Sequence, residues 1–415
     1  MSSVITATNQ LVTSKGVGLD RHLTFEARRS HFATEYNKIA NHSKFTVSQP
    51  FRENVNFGKT ISVEIDSIGD FLSGVILRFR LPALTIPEGS RFIGWTQTVG
   101  YAMIENLELR IGDMTVVSQM GSFAEVMDYL QTPPNPVHWD AIGRYDTVLA
   151  TKYTGNKERE VLIPLNLWFT KKLSQAIPIF ALNNHKIRIV LTLKPFQELI
   201  TWDGEIPPPD ASIVDSEVIS EHYVVTEEER DAQYLVFEDN SRVLQPKSYL
   251  IDQWYFLDFF VPAHTVQNKF HLSFAGHVKE LVFYLIEEES LESNDPFMFG
   301  QRAEGKNGAE FITSLSLLLD GKVRLDTTPE LYYRLITPQK YHTYAGNRNI
   351  YVIPFSETPE QNKPCTTLDF SAYDTVELLL DFVPNIARCR LHVLAVTVNR
   401  LTFFDETVQL EYTSV

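Results

Sequence analysis

Three histidines, His264, His271 and His277, come closest to a metal-binding cluster in this chain. Ligands on one strand share a face when they lie two residues apart, and none of the 11 histidines forms such a His-x-His pair. On a continuous strand His264 and His271 would point to opposite faces, and His271 and His277 would lie about 20 Å apart. The spacing therefore predicts ordinary surface or packed histidines and no metal site.

A run of carboxylates offers oxygen ligands of the kind that calcium prefers. Glu287, Glu288 and Glu289 are followed by Glu292 and Asp295. The run lacks the Asp-x-Asp-x-Asp-Gly order that brings several oxygens onto one ion. The pattern favours a solvated loop.

Other chemical motifs are missing from the sequence. The chain has no phosphate-binding loop, zinc-protease helix motif, Gly-x-Ser-x-Gly elbow or Cys-x-x-Cys pair. The sequence therefore predicts no catalytic residue, no cofactor and no enzyme activity. The two carboxylates of a glycosidase meet only in space, so a glycan-binding or glycan-cleaving β-sandwich stays open. The tryptophans, spread from Trp95 to Trp254, form no visible platform for a sugar.

Composition limits the partners and the compartment. The formal net charge is −15, which argues against direct binding of nucleic acid. No run of 18 apolar residues exists, and the N-terminal residues lack the pattern of a signal peptide. Cys365 and Cys389 both lie in the second half, so a disulfide cannot join the two halves, and both are expected to be reduced and buried. The glycosylation sequon at Asn41 is expected to be unused.

The predicted strands and helices that would position any site occur twice along the chain. Matching segments lie about 190 to 208 residues apart. Alternating apolar residues at Leu107, Leu109 and Ile111 correspond to those at Leu315, Leu317 and Leu319, and a Gly/Asp turn follows each run. Further matched pairs are Leu77 with Phe283, Ser122-x-x-Glu125 with Thr327-x-x-Glu330, Ile163-Pro164 with Ile353-Pro354, and Ile187–Leu193 with Val376–Phe382. The two Ser/Thr-x-x-Glu segments are typical of helix-capping boxes.

Each half is therefore predicted to be a sandwich of short strands with one short helix. Apolar residues at Phe123, Val126, Met127 and Leu130 have helical spacing, and we expect helices at 122–130 and 328–336. Many short strands with one helix favour jelly rolls over immunoglobulin domains. The fold class is all-β, with two tandem eight-stranded jelly-roll β-sandwiches. The predicted division is an N-terminal arm at 1–40, a first jelly roll at 41–200, a linker at 201–240 and a second jelly roll at 241–415.

Several blocks resemble the major capsid proteins of nucleocytoplasmic large DNA viruses, the double jelly-roll family of iridoviruses and phycodnaviruses. The resemblance is strong over 40–200 and looser over 240–415. The blocks that carry it are Ser43-Lys44-Phe45, Phe57-Gly58-Lys59, Ile68–Leu72, Leu81-Pro82, Gly100–Glu105, Leu109–Gly112, Ile163–Phe169, Ala176–Leu182 with His185, Leu368–Ser371 and Val393–Val396 with Phe403. Leu167 and Asn184 depart from the family pattern, which favours an aromatic residue and a tyrosine at these positions and indicates a divergent lineage.

The resemblance implies a major capsid protein of a large double-stranded DNA virus, a structural molecule of the virion that assembles in the host cytoplasm. It implies pseudo-hexagonal homotrimeric capsomers that tile an icosahedral shell. The implied partners are other copies of the chain, minor capsid and penton proteins, and the inner viral membrane through those proteins. The alternatives are a double jelly-roll scaffold, a minor capsid protein or the glycan-related sandwich.

Overall fold

A computed structural model describes residues 4, 39–145, 155–182, 185–238, 241–244, 247–302, 308–362, 366–404 and 407–412. Contacts divide the chain into residues 1–41 and His42–Val415. The predicted arm at 1–40 lies almost wholly outside the described residues, as does Cys365. Both sandwiches belong to the second unit.

Strands dominate the described residues. In the first half they are β1 (His42–Pro50), β2 (Thr60–Glu64), β3 (Phe71–Leu81), β4 (Ile93–Trp95), β5 (Ile104–Ile111), β6 (Met114–Gln119), β7 (Arg159–Pro164), β8 (Ile177–Pro178), β9 (Ile187–Leu193), β10 (Ile200–Trp202) and β11 (Asp215–Val225). They are followed by β12 (Leu235–Glu238), β13 (Ser241–Leu244), β14 (Lys247–Val261), β15 (Gln267–His271), β16 (His277–Glu287), β17 (Ile312–Leu319), β18 (Lys322–Pro329), β19 (Ile350–Pro354), β20 (Leu368–Asp369), β21 (Val376–Phe382), β22 (Cys389–Phe404) and β23 (Thr407–Leu410).

Helices are short. The α-helices are α1 (Val99–Ala102), α2 (Gly121–Gln131), α3 (Pro136–Ile142), α4 (Trp168–Lys171), α5 (Glu227–Tyr234), α6 (Glu288–Glu292) and α7 (Thr337–Tyr341). A π-helical segment, Tyr332–Ile336, leads into α7, and 3-10 turns span Leu173–Gln175, Ile179–Ala181, Phe196–Glu198 and Phe370–Ala372. No helix among the described residues is long and apolar enough to cross a membrane.

The two halves have the same sheet topology. The first sandwich pairs a β3 sheet, ordered β1-β11-β3-β7, with a β5 sheet, ordered β2-β9-β5-β6. The second pairs a β16 sheet, ordered β14-β22-β16-β19, with a β17 sheet, ordered β15-β21-β17-β18. The short strand β8 also pairs with β3, β20 pairs with β16, and β23 pairs with β22. Without these additions each half has two sheets of four antiparallel strands, which with these crossovers make an eight-stranded jelly roll. The predicted pair of tandem jelly rolls is confirmed.

Strand registers confirm most of the repeat. Leu107 pairs with Leu191 in the first sandwich, and Leu315 pairs with Leu380 in the second, as the matched runs predict. The predicted match of Ile163-Pro164 with Ile353-Pro354 is wrong by two residues. Ile163 pairs with Leu77, but Ile353 pairs with Leu281 instead of Phe283. A shift of two keeps the same residues facing inward, so the apolar pattern does not distinguish the two registers.

Three other expectations are corrected. The segment 201–240 is not only a linker, because β11 lies within it and pairs with both β1 and β3, so the first sandwich runs to Val225. The capping boxes do not form. The first residue before α2 is Met120, without a side-chain cap, and Thr327 lies within β18. The carboxylate run at 287–295 is not a solvated loop, since Glu287 is buried at the end of β16 and α6 follows.

Candidate functional site at the junction of the two sandwiches

The outward face of the β16 sheet is buried against the first sandwich. Every residue of β16 from Val278 to Glu287 is buried. Leu281, Phe283 and Leu285 belong to the core of the second sandwich. Their neighbours Val282, Tyr284 and Ile286 belong to the apolar cluster of the first. Because side chains alternate along a strand, one strand serves two cores.

Helix α2 supplies the other side of this apolar junction. The ring of Phe123 lies 5.3 Å from that of Tyr284 and 6.4 Å from that of Phe256, measured between centroids. The ring of Tyr129 lies 5.2 Å from that of Tyr344, edge-on. The helical spacing that predicts α2 from the sequence therefore places its apolar face at the junction.

A buried ion cluster lies on the same helix. Glu125 is fully buried, and its Oε1 accepts from Nε of Arg144 at 3.1 Å and from Nη1 of Arg348 at 2.6 Å. Arg144 also donates to Oδ2 of Asp128 at 2.9 Å, and Nε2 of His138 lies 3.0 Å from Oδ1 of Asp128. Burial raises the pKa of Asp128, but the hydrogen bond with His138 and the charge of Arg144 together bring this pKa below its usual value.

Arg348 joins the ion cluster to the aromatic contacts. Its guanidinium carbon lies 4.6 Å from the centroid of the Tyr129 ring, within cation–π range. Burial raises the pKa of Tyr129 to about 12. The hydroxyl of Tyr129 lies directly against Gly346, where a Cβ atom would clash with it. A larger residue at 346 would therefore force the Tyr129 ring to shift.

A second ion cluster lies at the β-bulge of β16. The bulged residue is Lys279, whose fully buried Nζ lies 2.6 Å from Oδ1 of Asp252 and donates to the carbonyl oxygens of Pro359 and Gln361. Lys171, from the first sandwich, lies 3.4 Å from the other oxygen of Asp252. One carboxylate therefore links a lysine from each sandwich.

His342 forms a third buried cluster between two glutamates. Its Nε2 lies 2.9 Å from Oε2 of Glu280, and its Nδ1 lies 3.2 Å from Oε1 of Glu360. Burial lowers the pKa of His342, but the two carboxylates outweigh this effect and raise it to about 9. The imidazole is therefore a cation at neutral pH.

Direct hydrogen bonds complete the junction. Asn294 donates to the carbonyl oxygens of Gln197 at 2.6 Å and Ile200 at 2.8 Å, and its own carbonyl accepts from Oγ1 of Thr96 at 2.7 Å. The backbone of Tyr344 donates to the carbonyl of Leu130 at 2.8 Å. Apolar packing, buried ion pairs and backbone contacts all lie on one surface, and both sandwiches belong to one compact unit of the chain.

The residues examined for chemistry in the sequence do not converge. His264, His271 and His277 are all exposed, and no three His, Cys, Asp or Glu side chains of the described residues could hold a metal. Cys389 is a buried free thiol whose pKa burial raises to about 12. Sequence reasoning did not pair the residues of the junction, because partners such as Glu125 and Arg348 are more than 200 residues apart.

A cleft of about 540 Å³ opens beside the junction. Its polar lining includes Asp128, His138, Lys171, Glu221 and Glu360, and no Phe, Tyr or Trp lines it. Sugar-binding clefts usually offer an aromatic face to the ring. Asp128 is held by Arg144 and His138, and Glu360 by His342 and Thr343. The carboxylates of this cleft are engaged in structural contacts.

Comparison with known proteins gives the same division of the chain. The family model described as "Major capsid protein N-terminus" matches residues 30–225, and the one described as "Large eukaryotic DNA virus major capsid protein" matches 241–400. The first match ends at the last residue of β11. Both sandwiches are therefore matched.

Individual relatives share this length. The major capsid protein of Pyramimonas orientalis virus is 22% identical, covering 88% of this chain and 89% of that protein. The major capsid protein of Paramecium bursaria Chlorella virus 1 is 20% identical, covering 88% and 84%.

Solved structures share the fold. PBCV-1 VP54, fitted into a reconstruction of the virophage Sputnik, superposes with a TM-score of 0.77 at 17% identity, over 93% of this chain and all of that chain. The Faustovirus major capsid protein superposes with a TM-score of 0.72 at 11% identity, over 93% and 94%. Both likenesses show the fold.

Proposed function

We propose that this chain, which belongs to the major capsid protein family of large eukaryotic DNA viruses, forms homotrimeric capsomers with a pseudo-hexagonal outline that tile an icosahedral shell. The observation that carries the proposal is the buried junction between two sandwiches of the same topology. Three such chains supply six similar modules, and a tile with six similar edges packs against six neighbours.

Rigidity at the junction serves this role. A tile must hold its two modules at a fixed angle, because any change in that angle would prevent a ring of three chains from closing. In the buried cluster of Glu125, Arg144 and Arg348, the pair of Arg348 with Glu125 forms only when the two sandwiches have this relative orientation. Leaving a buried charge unpaired is costly. The junction therefore favours one relative orientation of the sandwiches.

A structural role without catalysis fits the same observations. The side chain of His342, whose pKa is raised to about 9, is fully buried and lies between two carboxylates. Such a group stabilises a fold and cannot reach a substrate. That the chain has no enzyme activity, no cofactor and no catalytic residue stays a prediction, to be tested by direct assays of glycan cleavage.

The proposed partners are other copies of the chain, then minor capsid and penton proteins, with the inner viral membrane reached through them and no direct contact with nucleic acid. The charge of −15 per chain makes trimers repel one another, so lattice assembly should require salt or bridging proteins. The loop segment between α2 and β7, which includes α3, is longer than that between α7 and β19. We place this longer loop on the outer face of the capsomer. The proposed location is the virion, with assembly in the host cytoplasm.

Electron microscopy of the purified protein tests the proposal. We expect hexagonal tiles and, at raised salt concentration, ordered two-dimensional arrays of them. Mass spectrometry of mature particles provides the control for role, because a scaffold would be absent from them and a minor capsid protein would be scarce. Dispersed single chains without tiles at any salt concentration would contradict the proposal.

A further inference from the structure

Strand registers align the β3 and β16 sheets residue by residue. Each sheet has one β-bulge in its central strand, at Ser73 in β3 and at Lys279 in β16. With the bulges superposed, Arg78 corresponds to Tyr284. Following the ladders through β11 and β22 to the first strand of each sheet, Ser48 corresponds to Phe256.

The helices that follow the β5 and β17 hairpins align in the same way. Leu107 pairs with Gln119, and its counterpart Leu315 pairs with Thr328. Continuing from these pairs into the helices, Phe123 of α2 corresponds to Tyr332. Helix α2 begins two residues after Gln119, and helical structure after β18 begins two residues after Thr328. Aligning these two segments therefore needs no insertion or deletion between the strand and the helix.

Equivalent residues have opposite surroundings. Phe123 is 1% exposed because it packs on Tyr284 and Phe256 of the β16 sheet. Its counterpart Tyr332 is 45% exposed, and Ile336, one turn further, is 49% exposed. Exposed apolar groups of this size grouped on one helix indicate a surface for another protein.

The charges at the two positions are exchanged. Within the chain, Glu125 on α2 pairs with Arg348, which precedes β19. The counterpart of Glu125 is Arg334. In the ladders Leu162 corresponds to Ile350, and continuing two residues back from this pair makes Glu160 the counterpart of Arg348. The helix position is thus acidic in the first half and basic in the second, and the sheet position is acidic in the first half and basic in the second. Within one chain Arg334 already pairs with Glu330 and Glu310, and Glu160 pairs with Arg78. A helix carrying Arg334 that meets a β3 sheet would add a further pair of opposite charges to these.

We propose that the 332–336 helix of one copy docks on the β3 sheet of a second copy, as α2 docks on the β16 sheet within each chain. Tyr332 packs over Arg78 and Ser48 of the second copy, and Arg334 faces its Glu160. This inference rests on the proposed capsomer and identifies the contact that closes it. The occupant is a second copy because the contact repeats the geometry and the charge complementarity of the junction inside the chain.

Variants at Tyr332 test the contact in the full-length protein. Tyr332→Ala should raise the dissociation constant of the oligomer at least about tenfold, as expected for a central interface aromatic, with little change in the unfolding of the single chain. Tyr332→Phe should behave like the unchanged protein, since the ring and not the hydroxyl makes the contact. Val266→Ala, at a side chain that is 76% exposed between β14 and β15, is the matched control for loss of exposed apolar surface.

Two variants, each with one added cysteine, test whether the 332–336 helix of one copy contacts the β3 sheet of another. Ser48→Cys and Tyr332→Cys chains, mixed and oxidised, should form a disulfide-linked pair of two different chains, and neither variant alone should do so. Assembly that is unaffected by Tyr332→Ala, or absence of the mixed disulfide in intact oligomers, would overturn this inference and leave the capsomer proposal standing. An unchanged protein that never assembles would overturn both.

Discussion

The β3 and β16 sheets have the same strands in the same order, yet one is open and the other is covered. In β16 both faces are buried, and the strand has a nearly continuous apolar run from Leu281 to Ile286. In β3 the outward residues Ile76, Arg78 and Arg80 are only partly buried. Covering a sheet therefore changes its sequence from an alternating to a continuous apolar pattern, while the fold stays the same.

Ion pairs differ between the two sheets in the same way. On the open β3 sheet, Arg78 pairs with Glu160 and Glu217, and all three side chains are in part exposed. On the covered side, Glu125 and Arg144 are almost completely buried. Exposed pairs contribute little to stability, while breaking a buried pair is costly. Equivalent substitutions on the two sheets should therefore have unequal effects.

The largest difference in stability between equivalent substitutions is expected at Tyr284 of β16 and its counterpart Arg78 of β3. Tyr284→Ala removes a fully buried ring that packs on Phe123 and Phe299, and should lower the free energy of unfolding by about 3–5 kcal/mol. Arg78→Ala should lower it much less in the dissociated chain, because the Arg78 side chain is partly exposed on the open sheet. Urea unfolding at matched protein concentration measures both. Equal losses would show that the two sheets are not distinguished by burial.

The next effect is expected at the charged counterparts. Arg348→Leu leaves Glu125 with Arg144 as its remaining charged partner and should lower the free energy of unfolding by about 2–4 kcal/mol. Glu160→Ala, on the open sheet, should change the free energy of unfolding of the dissociated chain by less than about 0.5 kcal/mol. Thermal unfolding followed by circular dichroism compares the two. A neutral Arg348→Leu would mean that the buried cluster does not hold the sandwiches together.

The pH dependence that His342 confers should have no equivalent on the open sheet, because Gly74 stands in β3 where Glu280 stands in β16. The pKa of His342 is about 9 in the folded chain, above the usual value of 6.5. Its stabilising effect is therefore full below pH 6.5 and is lost as the pH rises through about 9.

His342→Gln should consequently lower the free energy of unfolding by about 2–3 kcal/mol at pH 6 and by much less at pH 10. Urea unfolding across this range gives the difference at each pH. His271→Gln, at an exposed histidine, is the control and should show no such trend. A constant effect of His342→Gln at every pH would contradict the charged state of the imidazole.

The smallest effect is steric. Gly346→Ala places a Cβ against the hydroxyl of Tyr129 across the junction and should destabilise the protein by about 1–2 kcal/mol. Tyr129→Phe removes that hydroxyl, so the double variant should recover part of the loss. A double-variant cycle measured by thermal unfolding detects the coupling. Purely additive losses would argue that the two residues do not touch.

The sequence alone predicts the strands that alternate cleanly. The runs at Leu107–Ile111 and Ile187–Leu193 have apolar residues at every second position, and their matched register in the second sandwich is confirmed. Strand β11 was missed because two of its inward positions are polar. Ser220 and His222 are buried there and are bonded to each other at 2.8 Å. A strand whose core positions are polar has no apolar period to detect.

The junction could not be predicted for a different reason. Glu125 has the spacing of a capping residue, and only the folded chain shows that its carboxylate instead meets Arg144 and Arg348. Partners brought together by packing leave no local pattern in the sequence. The apolar run of β16 did carry a signal of burial on both faces, but not of what covers the second face.

The mass of the soluble protein in solution is the most direct test of the proposal that three chains close one ring. Multi-angle light scattering should give about 142 kDa, three times the 47.5 kDa chain, and this mass should persist on dilution to micromolar concentration. A single species of 47.5 kDa at that concentration, with no larger species as concentration or salt rises, would contradict the proposed capsomer.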